Sequence, residues 1–174
     1  MVADTGFRER LPELCCVRSI RMKHLVFAAA LLVASAAMAE EPAFLAKAAQ
    51  DDLAEAAIGR LAEAQGLTHR VRDFGRKMAT DHEAHRDRVD ALAEARRIKL
   101  PQSLSPDQRA VYDRLSLMQG AAFDEAFKAR MIADRSKDIA QYEAQLGAGD
   151  TEVAALARET LPLLQRQLAA AGKL

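Results

Sequence analysis

Two histidines, His82 and His85, interrupt an otherwise apolar face of a predicted helix over residues 71–92. The residues of this face recur at steps of four and three, the spacing of the buried side of a helix in a bundle. They are Val71, Gly75, Met78, His82, His85, Val89 and Leu92. An imidazole on such a face needs a hydrogen-bonding neighbour, a carboxylate or a metal ion, because an unpaired buried polar group costs roughly 1–3 kcal/mol. The identity of that partner decides whether these residues do chemistry.

Glu55 is the carboxylate that the sequence offers to these histidines. The preceding helix carries Phe44, Ala48, Glu55, Ile58 and Ala62 on one face. Glu55 is therefore predicted to point into the interior, where inward Glu and His side chains build the metal sites of helical bundles. We predict Glu55, His82 and His85 as candidate ligands of a transition metal. Asp81 lies about 100° around the helix from His82, which places it beside such a site or at the surface.

The alternative for these histidines is structural. His82 is then a core histidine hydrogen-bonded to a neighbour, and His85 is partly exposed at the edge of the packed face. A diiron centre needs a Glu-x-x-His pair on each of two helices. Here Ala79 lies three residues before His82, and His82 itself lies three residues before His85. The sequence therefore argues against a ferroxidase, and we assign no catalytic residue and no organic cofactor.

Five helices are predicted to position these residues. They cover residues 42–65, Thr68 to about Arg97, Ser105 to about Gln119, a stretch that carries Phe123 to Leu146 after a break at Gly120, and the stretch that begins at Asp150 or Thr151. Thr68 is a predicted N-cap, and Ser105-Pro-Asp-Gln108 has the spacing of a capping box. Abundant alanine and the absence of tryptophan favour closely packed helices. The predicted fold class is all-α: an antiparallel four-helix bundle with one short extra helix.

The last two long helices carry unusual residues within their packed faces. The first of them has Phe123, Phe127, Met131, Arg135, Ile139, Tyr142 and Leu146 on its packed side. Arg135 is therefore predicted to lie in the core. The second has Val153, Ala157, Leu161, Leu164 and Leu168 on its buried side. Pro162 interrupts that helix and is predicted to kink it, because proline removes one backbone hydrogen bond.

The bulk composition excludes some classes of function. The chain has 174 residues, of which 50% are hydrophobic, which is enough to bury the core of one domain. Its formal net charge is +0, which argues against a nucleic-acid-binding protein. Its two cysteines are Cys15 and Cys16, so residues 40–174 contain none and depend on no disulfide.

Residues 22–39 have the pattern of a secretory signal peptide. Lys23 supplies a positive charge, an apolar run follows over residues 25–34, and Ala37-Met38-Ala39 forms a small-x-small cleavage site. We expect residues 1–21 to be a mis-assigned upstream extension and residues 40–174 to be the mature periplasmic domain, without an integral membrane segment. Two alternatives are a genuine longer leader and an uncleaved anchor, although the apolar run is short against the roughly 20 residues that span a bilayer.

A series of motifs resembles a known bacterial family. The motifs are Phe44-x-x-x-Ala48-Ala49 before Glu55, Met78-x-x-Asp81-His82, Leu100-Pro101, Gly120-x-x-Phe123-Asp124 and Leu161-Pro162-x-Leu164. Together, over residues 44–174, they resemble the exported ferritin-like domain of unknown function DUF4142, whose members are often described as predicted outer membrane proteins. The resemblance implies a ferritin-like helical bundle that is exported and has no established reaction.

The chain departs from the family pattern at two positions. The resemblance implies histidines where this sequence has Arg135 and Gln167. If the family pattern builds a metal site, this chain has lost two nitrogen ligands and gained a fixed positive charge, which would repel a cation. We therefore hypothesise that Arg135 takes the place of the cation and pairs with Glu55, while His82 stays neutral and Gln167 bridges between neighbours.

Three functions are consistent with these patterns. The leading prediction is a non-enzymatic exported protein with a structural or stress-related role in the envelope, which rests on analogy of fold. The second is a metal-binding or redox protein that uses Glu55, His82 and His85. The third is a partner-binding module with an exposed apolar helix face, of which self-association is one form. The sequence identifies no specific partner.

Overall fold

The computed structural model describes the backbone of residues 21–147 and 151–174 and the side chains of residues 41–147 and 152–174. In these ranges the chain forms α1 (Arg21–Gln65), α2 (His69–Ala95), α3 (Pro106–Ser116), α4 (Gly120–Gln145) and α5 (Thr151–Ala171). The described residues contain no strand, so the all-α prediction is confirmed. The ferritin-like arrangement stays a prediction.

The chain divides into two units, residues 1–36 and residues 37–174. All contacts discussed below belong to the second unit. Several predictions lie outside the described residues: the structure of segment 1–20, the side chains of the signal sequence, and the cap at Asp150 or Thr151. None of the described helices is both long enough and apolar enough to cross a membrane.

The predicted starts of α2 and α3 are confirmed, whereas α1 begins at Arg21 rather than at Pro42, which lies inside the helix. The Thr68 side chain accepts a hydrogen bond from the backbone N–H of Val71 and so caps α2. At the start of α3, Ser105 accepts from the backbone of Gln108, and the Gln108 side chain accepts from the backbone of Ser105. These contacts satisfy amide groups that the first turn of a helix leaves without partners. Gly120, at φ +62°, begins α4 with a conformation that favours glycine.

Two helix ends and one packed position differ from the prediction. Helix α2 ends at Ala95 rather than near Arg97, because Arg97 adopts a left-handed φ of 57° that a helix cannot continue. Helix α3 ends at Ser116, before Gln119. Leu146, predicted to be packed, is 41% exposed because it lies just beyond the end of α4.

Helices α1 and α2 run antiparallel and approach closely. Asp52 contacts His85, whereas Gly59, later in α1, faces Gly75, earlier in α2. A Cβ atom on Gly75 would lie 2.6 Å from the carbonyl oxygen of Gly59. The two backbones can therefore come this close only because neither position carries a side chain.

Helices α2 and α4 run in the same direction. His82 contacts Arg135, and His85, further along α2, contacts Tyr142, further along α4. Because residue numbers increase in the same direction along both helices, the connection over residues 96–119, which includes α3, must run back along the length of the bundle. Helix α5 then runs antiparallel to α4, because Lys128 contacts the carbonyl of Leu174 and Arg135 contacts Gln167.

The buried apolar residues form two clusters rather than one. One cluster joins the middle of α1 to the ends of α2 and α4 and to the first two-thirds of α5: Phe44, Leu45, Ala48, Ala49, Val89, Ala93, Tyr142, Val153, Leu156, Ala157, Leu161 and Leu164. The other lies towards the opposite end of the bundle: Ile58, Ala62, Val71, Met78, Leu115, Phe123, Phe127, Met131 and Ala171. Along each long helix, buried polar residues lie between the two clusters, and these polar residues form the candidate site.

Candidate functional site

The centre of the site is a carboxylate, Asp52, that contacts both histidines of α2. Its Oδ1 lies 2.8 Å from Nδ1 of His82, and its Oδ2 lies 2.8 Å from Nδ1 of His85. Asp52 is 3% exposed. Burial would raise the pKa of Asp52, but its interactions with the two histidines, chiefly the hydrogen bonds, outweigh that effect and the pKa is lowered. Asp52 is therefore an ionised acceptor, and each imidazole donates its Nδ1–H to it.

The second nitrogen of His82 accepts a hydrogen bond from Arg135. Nη1 of Arg135 lies 2.6 Å from Nε2 of His82. A guanidinium can only donate, so Nε2 must present its lone pair. Burial and the adjacent positive charge of Arg135 both lower the pKa of His82. These contacts fit a neutral imidazole that is protonated on Nδ1; the sequence led us to expect a neutral His82 but did not indicate which nitrogen carries the proton.

His85 is held in the same way at its other nitrogen by a tyrosine. The Tyr142 hydroxyl lies 3.2 Å from Nε2 of His85, and the two rings pack edge to face. Burial raises the pKa of Tyr142 well above its usual value, so the hydroxyl keeps its proton and can donate it. His85 is 2% exposed, as expected of a residue on the packed face, whereas the structural alternative had it partly exposed. Both histidines are thus enclosed by hydrogen-bond partners.

Arg135 is fully buried, with 0% exposure, and contacts side chains from three other helices and its own. Besides the contact to His82, Nη1 donates to Oε1 of Gln167 over 2.8 Å. Nη2 lies 2.9 Å from Oε1 of Glu55 and 3.0 Å from Oδ2 of Asp138. The predicted contacts of Arg135 with Glu55 and Gln167 are therefore present.

Gln167 connects this buried cation to the surface. Its carbonyl oxygen accepts from Arg135, and its Nε2 donates to Oδ2 of Asp81 over 3.1 Å. Lys77 in turn lies 3.0 Å from both carboxylate oxygens of Asp81. Asp81 therefore lies beside the site rather than in it, as predicted from its angle on the helix.

The acidic residues around Arg135 differ in their protonation near neutral pH. Burial raises the pKa of Glu55 to about 8, despite the opposing charge of Arg135, and the neighbouring carboxylates of Asp134 and Asp138 raise it further. Burial likewise raises the pKa of Asp138, to about 6. Near neutral pH, Asp138 is therefore mainly ionised and Glu55 mainly protonated. Asp138 and Asp52 are then the anions that balance Arg135.

The proton on Glu55 has a consequence for stability. In the unfolded chain the carboxyl has its usual pKa of 4.5, and in the folded protein its pKa is about 8. Between these values the folded state binds one more proton than the unfolded state, so the free energy of unfolding falls as the pH rises. This contribution is fully present below about pH 4.5 and is lost by about pH 8. The Oε2 atom of Glu55 has no hydrogen-bond partner among the described residues.

A metal ion does not fit the site in this arrangement. Arg135 places a fixed positive charge 2.6 Å from Nε2 of His82 and 2.9 Å from Oε1 of Glu55, which are the atoms a metal would need. Nε2 of His85 faces the Tyr142 hydroxyl instead. Within the described ranges, no three His, Cys, Asp or Glu side chains are arranged to hold a metal ion.

The structure brings together most of the residues that the sequence singled out. Glu55 and His82 meet at Arg135, Gln167 contacts the same guanidinium, and His85 shares Asp52 with His82. Three further members were missed: Asp52, Asp138 and Tyr142. Asp52 could have been found, because it lies four residues after Ala48 and three before Glu55, on the same helix face.

The chain matches one family model over most of its length. The model is described as Domain of unknown function (DUF4142), and it matches residues 28–174, a range that begins earlier than the resemblance over residues 44–174. No curated protein and no solved structure matches the chain. The chain belongs to the DUF4142 family.

Proposed function

We propose that this protein is an exported helical bundle with a non-enzymatic role, structural or stress-protective, in the bacterial envelope. One observation carries the proposal: the fully buried Arg135 contacts Glu55, His82 and Gln167, so a positive charge of the chain itself lies between Glu55 and His82, two of the candidate metal ligands. Because Arg135 supplies the positive charge in the interior, no metal ion is needed there to balance the buried carboxylates. The site then stabilises the fold and performs no chemistry.

The size of the enclosed space beside the histidines supports a non-enzymatic role. The cavity that His82, His85, Asp52 and Tyr142 line has a volume of about 10 Å³. Such a volume holds about one water molecule. A substrate could reach the imidazoles only if the helices moved apart, which would expose the ionised Asp52 and Arg135 together.

The path of the chain supports the ferritin-like part of the proposal. Helices α2 and α4 run in the same direction and are joined by the long connection over residues 96–119. One long crossover of this kind between two antiparallel helix pairs is typical of ferritin-like bundles. The proposal therefore treats the fold as a ferritin-like bundle whose metal position has been taken by an arginine.

A metal titration tests the proposal. The unmodified protein, purified without chelators, is compared by metal analysis and thermal melting with an Arg135→His/Gln167→His double variant. We expect iron, zinc and copper to leave the melting temperature of the unmodified protein unchanged and to raise that of the double variant by several degrees, because a ligand that binds only the folded state stabilises it. An Arg88→His variant, which adds a histidine on the exposed face of α2, controls for binding at the surface.

A second candidate function is a metal-binding or redox protein that uses Glu55, His82 and His85. The specific observation in its favour is Asp52, which accepts from Nδ1 of both histidines and so leaves Nε2 of each as the atom that could bind a metal. This function requires Arg135 to leave its position. Stoichiometric metal in the unmodified protein, with a rise in melting temperature, would support it and overturn the first proposal.

Export is tested separately by the mature N-terminus. The sequence pattern at Ala37-Met38-Ala39 supports cleavage after Ala39. We expect protein recovered from a periplasmic extract to begin at Glu40, and a variant with arginine at positions 37 and 39 to remain uncleaved. Recovery of the whole protein in the cytoplasm with its first residues intact would contradict export.

A further inference from the structure

A cavity lies between α2 and α5, on the outer side of the contact between Asp81 and Gln167. Its volume is about 200 Å³. Its walls are largely apolar and include Phe74, Met78 and Leu163. An apolar protein cavity of about 150 Å³ can take up benzene, so this space has room for one small ring or a short alkyl chain.

The rim of this cavity carries an excess of positive charge. Lys77, Arg166 and Asp81 lie at its edge. The single acid, Asp81, is already engaged by Lys77 and by Gln167. Arg166 makes no hydrogen bond or ion pair with any other residue in the described part of the chain, so its guanidinium is available. An apolar wall beside an available guanidinium matches a ligand that is apolar at one end and anionic at the other.

We infer that this cavity is a binding site for a small organic monoanion, of the size of an aromatic carboxylate or a short-chain fatty acid. The apolar body of the ligand packs against Phe74, Met78 and Leu163, where its transfer from water is favourable. The carboxylate lies at the rim and pairs with Arg166, whose planar guanidinium can donate two parallel hydrogen bonds to it. The inference does not depend on the proposed function, because neither Arg135 nor the two histidines line this cavity.

The test uses benzoate as the anionic probe and benzyl alcohol as a neutral probe of similar shape. The readout is the NMR signal of the Met78 methyl group, with Met131, which does not line the cavity, as an internal reference. We expect a saturable shift of the Met78 signal with benzoate and an affinity for benzyl alcohol about tenfold weaker, a difference that corresponds to about 1.4 kcal/mol. Met131 should not shift.

Two substitutions separate the charge from the cavity. Arg166→Gln should reduce the benzoate affinity to that of benzyl alcohol, whereas Arg158→Gln, two turns earlier on the exposed side of α5, should not. Ala170→Phe should fill the space and abolish the Met78 shift, and Leu163→Phe serves the same purpose if the first variant does not fold. The inference is overturned if benzoate gives no saturable shift, if both probes bind equally, or if a folded cavity-filling variant binds as before.

Discussion

Replacing Arg135 with alanine is the most informative perturbation of this protein. The substitution removes a side chain with 0% exposure. It removes the donor to Nε2 of His82 at 2.6 Å and to Oε1 of Gln167 at 2.8 Å. It also removes the cation that lies 2.9 Å from Glu55 and 3.0 Å from Asp138.

The expected loss of stability follows from these contacts. Each acceptor left buried without a donor costs about 1–3 kcal/mol. The two acidic residues limit the total loss of stability. Glu55 is already mainly protonated at neutral pH, and Asp138, with a pKa of about 6, can take up a proton once the guanidinium is gone. Breaking a buried charge network by removing one partner typically costs about 3–5 kcal/mol, and we expect a loss in this range.

Urea unfolding followed by circular dichroism at neutral pH measures this loss. Arg88→Ala is the matched control, because Arg88 is an exposed arginine whose contact to Glu159 is 3.5 Å long. We expect the control to change the free energy of unfolding by less than about 1 kcal/mol. If Arg135→Ala also costs less than about 1 kcal/mol, the contacts of Arg135 do not stabilise the fold, and the prediction is refuted.

Three further predictions concern the same interior. Because the pKa of Glu55 is raised, the free energy of unfolding should fall by up to about 1.4 kcal/mol per pH unit between about pH 6.5, the usual pKa of histidine, and about pH 8. Glu55→Gln should flatten this slope in urea titrations. An unchanged slope would refute the raised pKa. Nitrogen NMR of the imidazoles should show both rings of α2 protonated on Nδ1, and Asp52→Asn should disturb both and cost about 1–3 kcal/mol; rings protonated on Nε2 would contradict the assignment. Gly75→Ala should cost at least about 1–3 kcal/mol in thermal or urea unfolding, because a Cβ at position 75 would lie 2.6 Å from a backbone oxygen of α1. Gly147→Ala is the control: a Cβ at position 147 would have no neighbouring atom within 4 Å, and stability should change by no more than about 0.5 kcal/mol.

Local sequence patterns predicted the elements of the fold well. The capping residues Thr68 and Ser105 begin the helices that their spacing predicts, and the apolar face of α2 is buried from Val71 to Val89. The errors are at the helix ends. Leu146 continues the pattern of four-residue steps but is 41% exposed, because α4 ends at Gln145 and the helical spacing no longer applies. Periodicity indicates which side of a helix is packed, but not where the packing stops.

The partners within the site were harder to predict than its members. Arg135 was predicted to be buried because it falls on an apolar face, and its contacts with Glu55 and Gln167 followed from charge and from the family pattern. Tyr142 and Asp52 contact His85 only because three helices have one particular register relative to each other. Sequence periodicity within one helix carries no information about that register, which depends on packing between distant segments.

The hydrogen bonds of the candidate site fix the register of the helices, which the apolar surfaces specify only weakly. Alanine is abundant along the packed faces, and small side chains permit one helix to slide against another with little change in contact area. The hydrogen bonds between Asp52, His82, Arg135 and Gln167 join α1, α2, α4 and α5 at one level, and each bond has a fixed direction because Asp52 can only accept and Arg135 can only donate. A shift of any one helix by a single turn would leave buried donors or acceptors without partners. We therefore expect the Arg135→Ala variant to lose uniqueness of packing as well as stability, visible as broadened NMR signals in both apolar clusters.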